Sequence, residues 1–171
     1  MKIEIMGYSG SGKSTLCRKL AQMYHVPALH LDTVQFLPNW AVRADEDKQE
    51  MVRSFLDRHP NGWVIDGNYT KLSYERRIDE ADIIIQLLFG RISCLWRCFK
   101  RFLTYKGKSR PDMAAGCNEK MDWEFIQWIL WKGRSKTARE RYRNIQSKYP
   151  GKVIVIRNQR QFDDYLKRLN P

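Results

Sequence analysis

Long apolar runs are missing from this 171-residue chain. No stretch approaches the roughly 20 apolar residues that span a bilayer, so the sequence argues against a membrane protein and no membrane partner is expected. No secretory leader is expected either: only a few residues separate Lys2 from Gly7, and no long apolar region or small-residue cleavage site follows. A cytoplasmic protein is the expectation. No Cys-x-x-Cys pair occurs among Cys17, Cys94, Cys98 and Cys117. Cys94 and Cys98 fall on one face of an expected helix, but zinc ligands come in tighter pairs, so buried free thiols are the favoured reading. His25, His30 and His59 show no ligand-like spacing. His30 shares a pleat face with Asp32 and is read as structural. Repeats, low complexity and linkers are absent, which leaves one domain over 1–171, long enough to bury a core. A hydrophobic fraction of 43% excludes a disordered chain.

Acid is in deficit. Lys and Arg number 31 against 19 Asp and Glu, a formal net charge of +12. Residues 91–143 hold 14 basic and 5 acidic side chains, so this third supplies +9 of the total. Concentrated positive charge attracts phosphates, whether on a nucleotide or on nucleic acid, and charge alone does not choose between them.

The apolar pattern that is present alternates short runs with helical periodicity. Strands are expected at 2–6, 26–32 (VPALHLD), 63–66 (WVID), 82–88 (DIIIQLL) and 152–156 (KVIVI). Helices are expected at 14–24, 45–58, 73–80 with a Ser73 cap, 91–105, a long one at about 122–148, and 161–169. Strands alternating with helices imply a parallel sheet covered on both faces, an α/β fold.

The first strand runs straight into GYSGSGKST at 7–15, which fits G-x-x-x-x-G-K-[ST] between a strand and a helix. Glycines allow successive backbone N–H groups to surround an anion, and the following helix adds its positive dipole end. Gly7, Tyr8, Ser9, Gly10, Ser11, Gly12, Lys13, Ser14 and Thr15 are therefore the candidate ATP-binding residues. Lys13 is expected on the β- and γ-phosphates, and Ser14 on Mg²⁺. A chance match in a chain of this length arises on the order of 1% of the time, and the strand–loop–helix setting lowers that further. Asp66 and Asp32 end the third and second expected strands, where carboxylates face the ligand crevice of an α/β sheet.

With GYSGSGKST, HLD after strand two, VIDGNY after strand three and an arginine-rich segment after strand four, nearly the whole chain resembles the nucleoside-monophosphate-kinase group of phosphate-loop proteins, which includes adenylate, shikimate and gluconate kinases. More narrowly, HLDTVQFLPNW, WVIDGNY and SRPDMAAGCNEKMDWEFIQW resemble the bacterial adenylate-kinase-related proteins known as DNA topology modulation proteins. The resemblance implies a three-layer P-loop NTPase fold with a five-stranded parallel sheet, a helical, basic lid at about 91–121, and phosphoryl transfer from ATP with Mg²⁺. It implies that Asp66 holds the metal partly through water, that Asp32 orients the acceptor or takes its proton, and that Arg97, Arg101 and Arg110 contact phosphates. The chain departs from adenylate kinases in one respect: DGNYTK carries no arginine where they grip the acceptor phosphate. Arg76 or Arg77 is the expected compensation, and a nucleoside monophosphate is disfavoured as acceptor.

Phe36 and Trp40 follow Asp32 in the strand-two loop and are the acceptor-pocket candidates. Trp123, Trp128 and Trp131 crowd one helix with Phe125, Ile126, Ile129 and Leu130, a pattern that reads as a buried helix; the alternative is that one indole stacks on a base or roofs the acceptor. The function expected is ATP-dependent phosphorylation of a nucleotide-like or hydroxylated small molecule. The alternatives are a nucleic-acid-associated ATP-binding protein, or a kinase of nucleic-acid ends. The acceptor, the choice of ATP over GTP and the oligomeric state stay open.

Overall fold

The structure, a computed structural model, describes residues 1–106, 113 and 116–169. Five strands form one parallel sheet: β1 (Lys2–Gly7), β2 (Ala28–His30), β3 (Trp63–Asp66), β4 (Ile83–Leu87) and β5 (Val153–Ile156), in the order β2-β3-β1-β4-β5. β1 is central. It pairs with β3 from Lys2↔Trp63 to Ile5↔Asp66, and with β4 from Ile3↔Ile83 to Gly7↔Leu87. Successive crossovers leave β1 on opposite sides, so a crevice opens at its C-terminal end.

Alternation along the strands sets the layers. Ile3 and Ile5 face a core shared with α1 (Lys13–Tyr24), α5 (Arg91–Thr104), α6 (Trp123–Leu130) and α8 (Gln159–Leu169). Met6, Ile65 and Ile84 face the opposite core, built with α2 (Leu31–Gln35), α3 (Asp45–Arg58), α4 (Tyr74–Glu80) and α7 (Lys136–Lys148). Three acids, Asp45, Glu46 and Asp47, open α3, as a helix N-terminus favours. No described helix is long and apolar enough to cross a membrane. All four cysteines are buried and free.

Four expectations need correction. The second strand is shorter than 26–32: pairing with β3 stops at His30↔Asp66, Thr33 Oγ1–H donates to the His30 carbonyl at 2.7 Å, and Asp32 lies in the first turn of α2. Ser73 adopts a left-handed conformation (φ 48°) and makes no side-chain cap to α4. The closing helix begins at Gln159.

The long helix at 122–148 is two helices separated by a short 3₁₀ turn at Lys132–Arg134, each with its own cap: Asp122 accepts from Phe125 N–H at 2.8 Å, and Ser135 from Ala138 N–H at 3.2 Å. Between them Arg134 turns inward, donating to the carbonyls of Ile129 and Phe89 at 2.9 Å each, with its guanidinium 3.7 Å above the Tyr8 ring. The break leaves α6 only eight residues long, with Ile129 buried and Trp123, Trp128 and Trp131 exposed by 65%, 50% and 57%.

Candidate functional site

β1 runs into a loop that turns back on itself and opens α1. Gly7 (φ 146°) lies so close to β4 that a Cβ there would sit 2.3 Å from the Leu87 carbonyl oxygen. At Gly10 (φ 78°) a Cβ would come within 2.6 Å of both the Cys94 carbonyl and the Cys98 sulfur. The spacing of the two cysteines thus gains a packing reason: α5 presents them as a floor under the loop. α1 begins on a left-handed Gly12 with no side-chain cap, which leaves its first N–H groups to the loop's concavity. The Ser11 hydroxyl is buried with no hydrogen-bond partner among the described residues.

Lys13 curls back over the loop, its ammonium donating to the carbonyls of Gly7 at 3.0 Å and Tyr8 at 3.1 Å. Burial pushes its pKa below the usual lysine range, opposed by the charges of Asp32 and Asp66. Ser14 Oγ–H donates to Asp66 Oδ2 at 2.9 Å. Glycine cradle, orphaned hydroxyl, dipole end and lysine suit a polyphosphate. The Ser14 and Asp66 oxygens are the hard donors that Mg²⁺ takes.

A cleft of about 930 Å³ opens beside the loop, lined by Ser9, Gly10, Gly12, Lys13, Ser14 and Thr15 together with Asp32, Phe36, Trp40, Arg97 and Arg101. Elements far apart in sequence thus meet around one space. Asp32 accepts from the Tyr69 hydroxyl at 2.7 Å; burial, then the Asp32 charge, push that hydroxyl's pKa up. Phe36 and Trp40 pack edge to face, centroids 5.2 Å apart. Trp40 is tied to the far wall, its backbone N–H to Cys117 Sγ at 3.3 Å and its indole N–H to the Asn118 carbonyl at 3.2 Å. Arg97 donates to the Ser11 carbonyl at 3.2 Å and to Gln159 at 2.8 Å, its guanidinium 4.7 Å above Phe89. Arg101 pairs with Glu119 at 3.0 Å. Arg110 lies outside the described residues.

Arg76 is not brought to this cleft. It sits on the outer face of α4, paired with Asp57 at 2.7 Å and Glu80 at 2.6 Å. Arg77, one position round the helix, turns into the core instead, bonded to Glu4, the Tyr69 carbonyl and the Leu72 carbonyl. Neither replaces the arginine missing from DGNYTK. Other cations line the cleft: Arg18, Lys120, Lys132 and Arg141.

His30, read from the sequence as structural, touches Asp66, a candidate site residue. Its Nδ1 lies 2.5 Å from Asp66 Oδ1, on the side of the carboxylate away from Ser14. The signal was present in principle, since His30 and Asp66 are register partners at adjoining strand ends, but it needs the strand order. Cys17 lies within 4.8 Å of both; its thiol donates to the Val64 carbonyl at 3.6 Å, and burial pushes its pKa up. Asn68 and Tyr69, to which the sequence reading gave no role, line the cleft, as does Trp128 of the tryptophan cluster. Trp128 donates its indole N–H to Ser9 Oγ at 3.2 Å, so one member of the tryptophan cluster stands at the rim of the loop.

No protein-family model matches the sequence, and no curated protein matches it. Solved structures do. An uncharacterized protein from Eubacterium ventriosum ATCC 27560 is similar with a TM-score of 0.54 and 18% identity, over 99% of this chain and 98% of that one. A gluconokinase from Sinorhizobium meliloti 1021 is similar with a TM-score of 0.51 and 16% identity, over 98% of this chain and 89% of that one. At such identities the likeness is one of fold, and the chain has a P-loop kinase-like α/β fold.

Proposed function

We propose that the protein is an ATP- and Mg²⁺-dependent kinase of a small hydroxylated or nucleotide-like molecule. The observation that carries this reading is the meeting, in one cleft, of Lys13 in a glycine-built anion loop with Asp32 beside an aromatic pair. ATP with Mg²⁺ supplies the phosphoryl group and neutralises part of its charge when bound. Residues 7–15 bind the polyphosphate through backbone N–H groups, and Ser14 with Asp66 hold the metal. Asp32, oriented by Tyr69, accepts the proton of the acceptor hydroxyl. Phe36 and Trp40 position the acceptor by stacking or edge contact. Lys13, Arg97 and Arg101 stabilise charge on the transferring group.

The test is an ATP-consumption screen over nucleosides, nucleotides, sugars and DNA ends, with Lys13→Ala as blank. With the acceptor found, Asp32→Asn is expected to slow transfer about 100-fold or more while Mg·ATP affinity, read by calorimetry, stays within about threefold. Equal loss of both would remove the role given to Asp32.

A second reading, a nucleic-acid-associated ATP-binding protein or a kinase of nucleic-acid ends, is favoured by the +9 concentrated in residues 91–143.

A further inference from the structure

Asn68 follows the Asp66–Gly67 pair at the end of β3. The backbone ladder between β3 and β1 closes with Gly67 N–H donating to the Ile5 carbonyl at 3.0 Å. Beyond it, the Asn68 side chain pairs with β1 as a strand peptide would. Its Oδ1 accepts from Gly7 N–H at 3.0 Å, and its Nδ2–H donates to the Gly7 carbonyl at 2.7 Å. Only this orientation of the amide satisfies both bonds. The Tyr142 hydroxyl, from α7, donates to the same Oδ1 at 3.3 Å and braces it.

The Gly7 carbonyl also accepts from the Lys13 ammonium. The other carbonyl holding Lys13, that of Tyr8, accepts in addition from Ser11 N–H at 3.1 Å. Each carbonyl that restrains Lys13 therefore has a second donor. For Tyr8 the donor is the loop's own backbone; for Gly7 it is the side chain of Asn68.

We infer that Asn68 is a positioning residue that releases Lys13 toward a bound polyphosphate. An ammonium has three N–H donors, and two of them are engaged by loop carbonyls. To aim more than one at an anion, Lys13 must let a carbonyl go. Gly7 is buried, and leaving a buried carbonyl without a donor is costly. With Asn68 in place the Gly7 carbonyl keeps its 2.7 Å bond when Lys13 swings away. Without Asn68, Lys13 is that carbonyl's remaining side-chain donor and is held back. This inference rests on the reading of residues 7–15 as a polyphosphate site.

The experiment combines calorimetric titration of Mg·ATP with thermal melts of the ligand-free proteins. Asn68→Ala is expected to weaken Mg·ATP about tenfold, equivalent to about 1.4 kcal/mol. Asn68→Asp keeps the acceptor for Gly7 N–H but replaces the donor with a negative charge that itself attracts Lys13 and repels a polyphosphate, so it should weaken binding more than Asn68→Ala does; it carries the comparison if the alanine variant does not fold. In the free proteins, Lys13→Ala and Asn68→Ala each leave the Gly7 carbonyl one donor, whereas the double variant leaves it none. The double variant should therefore melt lower than additivity allows by about 3 °C, and failure to fold where both single variants fold counts the same way. Additive melts, or wild-type affinity in both Asn68 variants, would overturn the role of Asn68. Absence of Mg·ATP binding by the wild-type protein would instead overturn the loop assignment.

Discussion

Arg77 reaches from α4 to Glu4 on β1, and both side chains are fully shielded from solvent. Burial outweighs the attraction of Arg77 and raises the Glu4 carboxyl from 4.5 to about 7. A folded-state value above the unfolded one stabilises fully below about pH 4.5, and that contribution fades as pH rises through about 7. The difference in stability between wild type and Glu4→Gln, followed by denaturant melts from pH 4.5 to 7.5, is therefore expected to shrink by on the order of 1–3 kcal/mol; a flat difference would contradict the assignment. Arg77→Met, which strands Glu4 in the core, is expected to cost about 3–5 kcal/mol. At Gly10 the constraint is steric. Gly10→Ala places a methyl 2.6 Å from Cys94 and Cys98 in a left-handed conformation. It should cost about 2 kcal/mol or more and weaken Mg·ATP in calorimetry, and unchanged values of both would mean that the loop does not rest on α5. The glycines were legible in the sequence because they stand at the fixed offsets of G-x-x-x-x-G-K-[ST]. His30 was not, because its meaning depends on a carboxylate 36 residues away.

The elements that hold the site differ in how openly the sequence declares them. α1, α3 and the apolar strands appear close to their expected places because local pattern and burial agree. The stretch 122–148 does not, because helical periodicity continues through Lys132–Arg134 while Arg134 is captured by the Ile129 and Phe89 carbonyls, a tertiary contact. The break gives α7 a new N-terminus at the cleft wall, where Ser135 both caps the helix and lines the space. Ser135→Ala is expected to lower stability by about 1 kcal/mol in urea melts. A change within 0.3 kcal/mol would mean that α7 does not depend on this cap. The same break explains the exposed indoles of α6: in an eight-residue helix packed through Ile129, there is no second face to bury them.

Across the whole molecule, charge and shape point to different partners. The net charge of +12 suits a polyanion, whereas the cleft of about 930 Å³ suits a small molecule. Several cations are already engaged within the protein: Arg97 with the loop and Gln159, Arg101 with Glu119, Arg134 with core carbonyls. The convergence of Lys13 and Asp32 on that cleft favours the small-molecule reading. Duplex DNA binding, followed by fluorescence anisotropy from 50 to 200 mM salt, is accordingly expected to be negligible at physiological salt. A tight complex whose log affinity falls with log salt at a slope of about −0.9 per phosphate contacted would move the assignment to the nucleic-acid reading.

By itself the sequence determined the α/β class, the glycine-rich loop at 7–15 between strand and helix, and most strand positions, because these rest on local periodicity and on fixed residue spacings that backbone geometry demands. Only the tertiary structure decided that Arg76 faces Asp57 and Glu80, that His30 and Ser14 share Asp66, that Asn68 grips Gly7, and that Asp32 meets Phe36 and Trp40 beside Lys13. Each of those contacts joins residues whose distance along the chain says nothing of their distance in space. It is the order of the strands, with β1 between β3 and β4, that sets them side by side.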